Sequence, residues 1–278
     1  MQSHPDWRPT ASFEALKLRA ELLARTRLFF AEQAVLEVDT PALSRAASTD
    51  PALASFSTVY NGPGPAGADL YLHTSPEFPM KRLLAAGSGS IYQLCKVFRD
   101  GEFGARHNPE FTLLEWYRTG FDHLDLMDEV ERFLTTVLAG IAPPDSVHHW
   151  TYRELFLEYA GIDPFTATSD ELRTLLLTRY NIHCETLSAD DMDGWLVLGS
   201  GLVFVRDYPA SQAALSRLCT GNPPVAARFE VYLNGIELAN GFYELADAVE
   251  QRARFEKERA RRAVDGLADV CVDEYLLS

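Results

Sequence analysis

Cysteine is sparse and dispersed in this chain. Its four residues, Cys95, Cys184, Cys219 and Cys271, form no Cys-x-x-Cys pair, which argues against both a disulfide framework and a zinc site. Long apolar runs are missing too, since none reaches the length that spans a bilayer. The opening residues Met1-Gln2-Ser3-His4-Pro5 lack the zones of a signal peptide. Positive charge is in short supply, with 25 Lys and Arg against 40 Asp and Glu and a formal net charge of −15. That balance argues against broad nonspecific nucleic-acid binding, which relies on neutralising phosphates, but leaves room for a local basic patch. There is no internal repeat and no low-complexity tract. What remains is the profile of a cytoplasmic enzyme with no membrane partner. Its 278 residues, 47% of them hydrophobic, suffice for a substantial core in one large domain or two small ones.

What is present concentrates in residues 98–117, Phe-Arg-Asp-Gly-Glu-Phe-Gly-Ala-Arg-His-Asn-Pro-Glu-Phe-Thr-Leu-Leu-Glu-Trp-Tyr. The pattern reads as strand, polar loop, strand: residues 91–98 and 111–117 are β-rich, and Asp, Gly, Asn and Pro punctuate the loop. Alternation places Phe111, Leu113, Glu115 and Tyr117 on one face of the second strand, with Thr112, Leu114 and Trp116 on the other. A ring, a carboxylate and a phenol beside a loop carrying Arg99, Arg106 and His107 suit an anionic ligand with a flat ring. Taken alone, Arg99 reads more readily as a surface ion pair.

A second constellation lies at residues 228–245. Asn234-Gly235 between two alternating runs signals a type I′ hairpin. A two-residue turn pairs Leu233 with Ile236 and Tyr232 with Glu237. It sets Glu230 on the same face as Glu237, one diagonal step away. Two readings are open for that pair: a shared Mg²⁺ that holds triphosphate oxygens, or two solvated carboxylates.

Elsewhere, residues 12–34 predict a helix with Leu16, Ala20, Leu23, Phe30 and Ala34 on one stripe and Lys17, Arg19, Glu21 and Arg25 facing away. A short strand ending at Pro41 follows. Residues 61–69 read as a turn between strands. Ser75-Pro76-Glu77 opens a helix, with Glu77 favoured in its first turn by the helix dipole. Residues 122–139 predict a helix capped by Asp122, with Gly140 just past its end. Residues 145–200 read as a mostly helical insertion. Leu113, Trp116 and Val231 are read as core.

The run at 98–117 resembles motif 2 of the class II aminoacyl-tRNA synthetases, in its lysyl branch. The helix followed by Val35-Leu36-Glu37-Val38-Asp39-Thr40-Pro41 looks like motif 1, which in that family forms the dimer interface. The resemblance implies an α+β fold, an antiparallel sheet flanked by helices, and a homodimer. It implies that Arg99 bridges the ATP α-phosphate and the amino-acid carboxylate as the catalytic residue, that His107 and Asn108 approach the phosphates, and that Phe111 stacks on adenine. A planar bidentate cation suits two anions that must be brought together, and charge building on the phosphoryl oxygens must be neutralised in place. By the same resemblance Glu230 and Glu237 bind Mg²⁺ with ATP. Ser75 and Glu77 sit near the substrate amino group, and Glu115, Tyr117, Asn240 and Glu244 complete the amino-acid pocket around a distal amine.

Motif 1 begins almost at the first residue, leaving no room for an anticodon-binding domain, so no stable tRNA partner is expected. Whole phrases, including Met80-Lys81-Arg82-Leu83-Leu84, Pro209-Ala210-Ser211-Gln212 and Gly235-Ile236-Glu237-Leu238-Ala239-Asn240-Gly241-Phe242, resemble the free-standing elongation factor P–(R)-β-lysine ligases. The activity implied is ATP-dependent adenylation of (R)-β-lysine and transfer to a lysine of elongation factor P. The alternatives are a free-standing lysyl-tRNA synthetase-type enzyme and a truncated, inactive binding or regulatory protein. The last rests on the sequence ending at residue 278, where the family continues toward motif 3 and its γ-phosphate arginine. Two further departures are a shorter junction around residues 193–199 and Gly101 where many relatives place glutamate, with Glu102 one position later.

Overall fold

The structure is a computed structural model that describes residues 7–63, 68–180 and 201–278. Helix α1, Phe13–Glu32, starts where Ser12 Oγ accepts from Ala15 N, one of the donors that a helix start leaves without an intrahelical partner. Its buried side is Thr26, Phe29 and Phe30. The expected stripe is only partly realised: Phe30 is buried and Leu23 half-buried, while Leu16, Ala20 and Ala34 are exposed. Arg25 does not face away but donates to the carbonyls of Val137 and Ala139 at 3.0 and 2.6 Å, placing a cation where a helix C-terminus carries unpaired oxygens. Arg19 donates to Thr112 Oγ1.

Three sheets follow among the described residues. Strand β1 (Leu36–Glu37) lies parallel to β5 (Ile91–Phe98), and β5 runs antiparallel to β6 (Glu110–Tyr117). Strands β2 (Leu43–Ser44), β3 (Ser57–Tyr60) and β4 (Ala68–Leu72) make a small antiparallel sheet in the order β2-β4-β3. The largest sheet has the order β11-β10-β8-β7, built from β7 (Val147–Thr151), β8 (Leu202–Pro209), β10 (Val225–Leu233) and β11 (Ile236–Phe242), with β9 (Leu218–Cys219) on β10. The fold is the expected α+β arrangement of antiparallel strands flanked by helices, with parallel pairs added at β1–β5 and β7–β8.

Helix α3, His123–Val137, joins the two larger sheets. Asp122 and Asp125 form a reciprocal cap at its start, satisfying two backbone donors at once. Phe133 and Val137 pack with Phe29, Phe30 and Tyr92, while Met127 and Val130 pack with Leu202, Phe204, Phe229 and Val231. Trp116 touches both groups and Val231 is fully buried, so both are core. Leu113 is half-buried on the cleft side.

The segment from about 145 opens with a strand, because β7 pairs along β8 from Val147↔Leu202 to Thr151↔Arg206. Helices α4 (Tyr152–Tyr159) and α5 (Ser169–Leu175) then cover the other face of the large sheet through Tyr152, Leu155, Phe156 and Leu172. The proposed shorter junction at 193–199 lies outside the described residues. Helix α2 (Glu77–Ala85), α6 (Ala248–Val264) and α7 (Glu274–Leu277) close the molecule. Arg82 pairs with buried Asp273 at 3.1 Å, and Arg262 donates to the carbonyls of Asp50 and Ala268. The C-terminal elements are thereby tied to α2 and to the loop after β2.

Candidate active site

A cleft runs between the exposed faces of the β5–β6 pair and the β10–β11 hairpin. Its deeper part is acidic. Alternation along β6 turns Phe111, Glu115 and Tyr117 into the cleft and Leu114 and Trp116 into the core. Glu115 accepts from Tyr117 Oη at 2.8 Å and from Ser75 Oγ. Ser75 Oγ also accepts from Glu77 N at 3.0 Å, so one hydroxyl joins the start of α2 to β6. One turn along α2, Lys81 Nζ lies 2.5 Å from Glu77 Oε1 and 2.6 Å from Glu244 Oε2. Arg217 sets Glu244 by donating to its carbonyl oxygen at 2.6 Å while lying over the Tyr243 ring.

Burial and the charge of Glu77 push the Glu115 carboxyl up to about 7, against the hydrogen bonds from Ser75 and Tyr117. Burial pushes Glu244 up to about 7 as well; Lys81 opposes this and Glu77 adds to it. Burial alone would lower Lys81, but Glu77 and Glu244 outweigh it and hold the ammonium above its ordinary value. Burial and the same carboxylates raise the Tyr117 phenol well above its usual range. The pocket is thus short of positive charge and suited to an ammonium ligand.

Arg99 stands just past β5, beside this pocket. Phe98 N donates to the His73 carbonyl at 3.0 Å and Arg99 N to Pro109 O at 2.9 Å, which carries the Thr74–Ser75 segment along the end of β5. The guanidinium lies 5.1 Å from the Phe111 ring centroid and 3.6 Å from Glu102. Glu102, despite its shifted place in the loop, is the near carboxylate. His107 and Asn108 stand exposed at the cleft mouth, and Phe103 at the loop tip is 85% exposed.

The hairpin carries the other acids. Asn234 and Gly235 have φ of 50° and 74°, the left-handed pair that a type I′ turn needs. Leu233↔Ile236 and Tyr232↔Glu237 pair as the turn predicts, but the register then shifts so that Val231 faces Ala239 and Glu230 faces Asn240. The irregularity at Leu238 is a β-bulge, which simple alternation does not foresee. It brings Glu237 and Asn240, three residues apart, to the face of Glu230. Asn240 Oδ1 there accepts from Arg228 Nε at 3.1 Å, so it joins the Arg228–Glu230 group.

Glu230 is buried and accepts from Arg228 and Tyr232, and from Tyr208 Oη at 2.9 Å. A carboxylate offers about four acceptor positions, so these three leave room for one more partner. Glu237 is open to the cleft, yet desolvation there and the charge of Glu230 push it up to about 7, with Arg228 and Arg99 opposing. A cation between the two would relieve that repulsion. Among the described residues, no three His, Cys, Asp or Glu side chains gather to enclose a metal. The pair would suit Mg²⁺, a cation bound through one or two carboxylates, with phosphate and water supplying the rest.

The fold therefore gathers Ser75, Glu77, Glu115, Tyr117 and Glu244 in one pocket, with Arg99 and Phe111 beside it and Glu230, Glu237 and Asn240 on the hairpin. Lys81, Arg228, Tyr208 and Tyr232 were not foreseen as site residues. Spacing offered a signal for two of them: Lys81 is four residues after Glu77 on a helix, and Arg228 is two before Glu230 on a strand.

Comparison with known proteins shows the family. Residues 2–269 match the family of class II tRNA synthetases (D, K and N). The chain is 48% identical to an elongation factor P–(R)-beta-lysine ligase of Vibrio vulnificus over 98% of its own length and 87% of that protein's. It is 48% identical to the ligase of that name in Vibrio cholerae, over 99% and 87%. The corresponding figures for the Edwardsiella ictaluri ligase are 45%, 100% and 88%. The pocket of acids, the arginine beside it and the hairpin carboxylates thus sit in a chain that belongs to the class II tRNA synthetase family.

Proposed function

We propose that this chain is an ATP-dependent ligase that activates (R)-β-lysine as its adenylate and transfers it to a lysine side chain of elongation factor P. The observation that carries this reading is the juxtaposition of an ammonium-seeking pocket, Glu77, Glu115 and Glu244, with the Arg99 guanidinium. An amino acid with a distal amine would lie with its ammonium groups among the acids and its carboxylate toward Arg99. The names of the relatives supply the specific substrate and acceptor.

In the first step, a substrate carboxylate oxygen attacks the ATP α-phosphorus in line, the bond to the bridging oxygen breaks and pyrophosphate leaves. Arg99 holds carboxylate and phosphate together and neutralises charge that grows on the phosphoryl oxygens. Phe111 offers a ring face for adenine, and Arg99 lies against the same ring, within reach of the phosphates of a nucleotide stacked there. His107 and Asn108 lie where the outer phosphates would emerge. Glu230 and Glu237 would hold Mg²⁺, which neutralises phosphate charge and assists the leaving group. In the second step the neutral acceptor amine attacks the acyl carbon, AMP departs and the amine gives up a proton. No nucleophilic side chain is needed, since positioning and electrostatics account for the chemistry.

The homodimer belongs to the same proposal. Phe13, Leu16, Ala20, Ala24 and Leu28 form an exposed stripe on α1 opposite its packed side, with Phe13 78% and Leu28 60% exposed. Such a stripe suits a second copy of the chain. A cytoplasmic setting without membrane or stable tRNA partners is part of the same reading. No helix among the described residues is long and apolar enough to cross a membrane.

ATP–pyrophosphate exchange with (R)-β-lysine and with L-lysine tests the first step. Exchange that prefers (R)-β-lysine, followed by transfer of label to a lysine of elongation factor P, is expected. Exchange with neither amino acid would overturn the reading, and transfer to tRNA in place of protein would replace it with a tRNA synthetase.

A further inference from the structure

The acid pocket already contains an ammonium of its own. Lys81 bridges Glu77 on α2 and Glu244 after β11, and its side chain is only 14% exposed. A lysine kept only to steady α2 would pair as well at the surface, where an i,i+4 partner is available without desolvation. Here it is placed among three carboxylates, Glu77, Glu115 and Glu244, so that two negative charges are left uncompensated once all three have ionised.

The two other charged groups that act on this cluster, Arg217 and Glu258, have opposite signs and leave that balance. Tyr117 is a neutral phenol bonded to Glu115. Arg217 donates its Nε to the Glu244 carbonyl, lies over Tyr243, and its charge favours the ionised Glu244 carboxylate. Glu258 on α6 accepts from Thr49, and its charge and that of Glu77 repel each other. The adjacent Arg82 is taken up by Asp273.

We propose that Lys81 is a specificity-determining positioning residue: it cancels one of three pocket charges, so that the remaining two match a substrate with two ammonium groups. The inference rests on the adenylation reading above for the substrate's carboxylate, which Arg99 receives. Without Lys81, three carboxylates at this spacing cannot all stay ionised, because like charges in a desolvated site raise one another's pKa. One would retain a proton and donate a hydrogen bond where the substrate's ammonium needs an acceptor. An amino acid with a single ammonium leaves one buried carboxylate unpaired, the costly case for a desolvated charge.

Calorimetric binding of (R)-β-lysine, L-lysine and 6-aminohexanoate, which has one ammonium, tests this between about pH 6 and about pH 8.5. Wild type, Lys81→Met and Lys81→Arg are compared, with melting curves to check folding and pyrophosphate exchange run in parallel. In wild type, affinity for the diamino acids should rise with pH as the pocket carboxyls ionise, with more protons released than for 6-aminohexanoate. In Lys81→Met the rise should move up by about one pH unit or more, and affinity near pH 7 should fall about tenfold. KM should change more than kcat, and Lys81→Arg should restore the position of the rise.

An unmoved pH profile in folded Lys81→Met, or an arginine variant as impaired as the methionine one, would overturn the proposal. If Lys81→Met does not fold, the wild-type comparison decides: equal proton release by one-ammonium and two-ammonium ligands overturns it. Binding with the expected profile but no exchange would sink the adenylation reading and leave the role of Lys81 standing. No binding of either diamino acid by wild type would overturn both.

Discussion

At the scale of single residues, the site is a set of charges held near one another without full compensation. Arg99 faces one near carboxylate at 3.6 Å, a loose pair that two anionic ligands can displace. Arg99→Ala is expected to lower the exchange rate by about 10²–10³-fold with the melting temperature little changed, as for loss of a donor aimed at developing charge. Lysine at the same position should restore only part of it, since a point charge cannot bridge two anions bidentately. Glu115, Glu237 and Glu244 are all pushed up to about 7 in the unliganded chain. The folded state therefore binds more protons than the unfolded state between the ordinary carboxylate range and pH 7. Their contribution to stability is fully present below that ordinary range and is lost as pH rises through about 7. Differential scanning fluorimetry should show a diamino acid or Mg²⁺–ATP raising the melting temperature more at pH 8 than at pH 6. An equal shift at both would mean these carboxyls do not ionise on binding.

At the scale of elements, the hairpin decides where the chemistry sits. Gly235 and Asn234 set the turn, but the bulge at Leu238 sets which side chains share the cleft. Gly241 opposes Phe229 across the ladder, and a Cβ added there would stand 2.3 Å from the ring of a fully buried phenylalanine. Gly241→Ala should cost about 1–3 kcal/mol in denaturant unfolding, by overpacking. It should also lower nucleotide affinity through displacement of Asn240. The cap of α3 offers a contrast. Asp122→Ala removes bonds to Leu124 N and Asp125 N and is expected to cost about 1 kcal/mol. Exchange kinetics should be unaffected, because α3 only supports the back of the sheets.

At the scale of the whole molecule, two sheets share α3 as their common core partner, and α2, α6 and α7 are latched over the cleft by Arg82–Asp273, Thr49–Glu258 and Arg262–Asp50. Only this docking brings Glu244, at the end of the hairpin, to Lys81 on α2. The exposed stripe on α1 makes a prediction of its own at this scale. Sedimentation should find a dimer, and Leu28→Glu should shift it toward monomer by burying a charge at the contact. A wild-type monomer at high concentration would remove the dimer from the proposal.

Local patterns were enough to determine the pieces. The alternation on β6, the Asn-Gly turn, the Asp122 cap and the limits of α1 and α3 depend on near neighbours and backbone preference, so they were legible in the sequence. The candidate site residues were legible chiefly by resemblance. Burial direction on α1 was less so, because the helix is apolar on two sides and only packing against Tyr92 and Phe133 chose between them. The β7 strand was missed because its partner β8 lies about fifty residues away, and long-range pairing leaves little local trace. Tertiary structure alone decided that Asn240 goes with Arg228, that Glu237 is lifted by Glu230, and that Lys81 stands among the acids of the pocket. Each depends on which charges end up adjacent once water is excluded. Such electrostatic effects arise from distance and desolvation in the folded chain, and residue order carries neither.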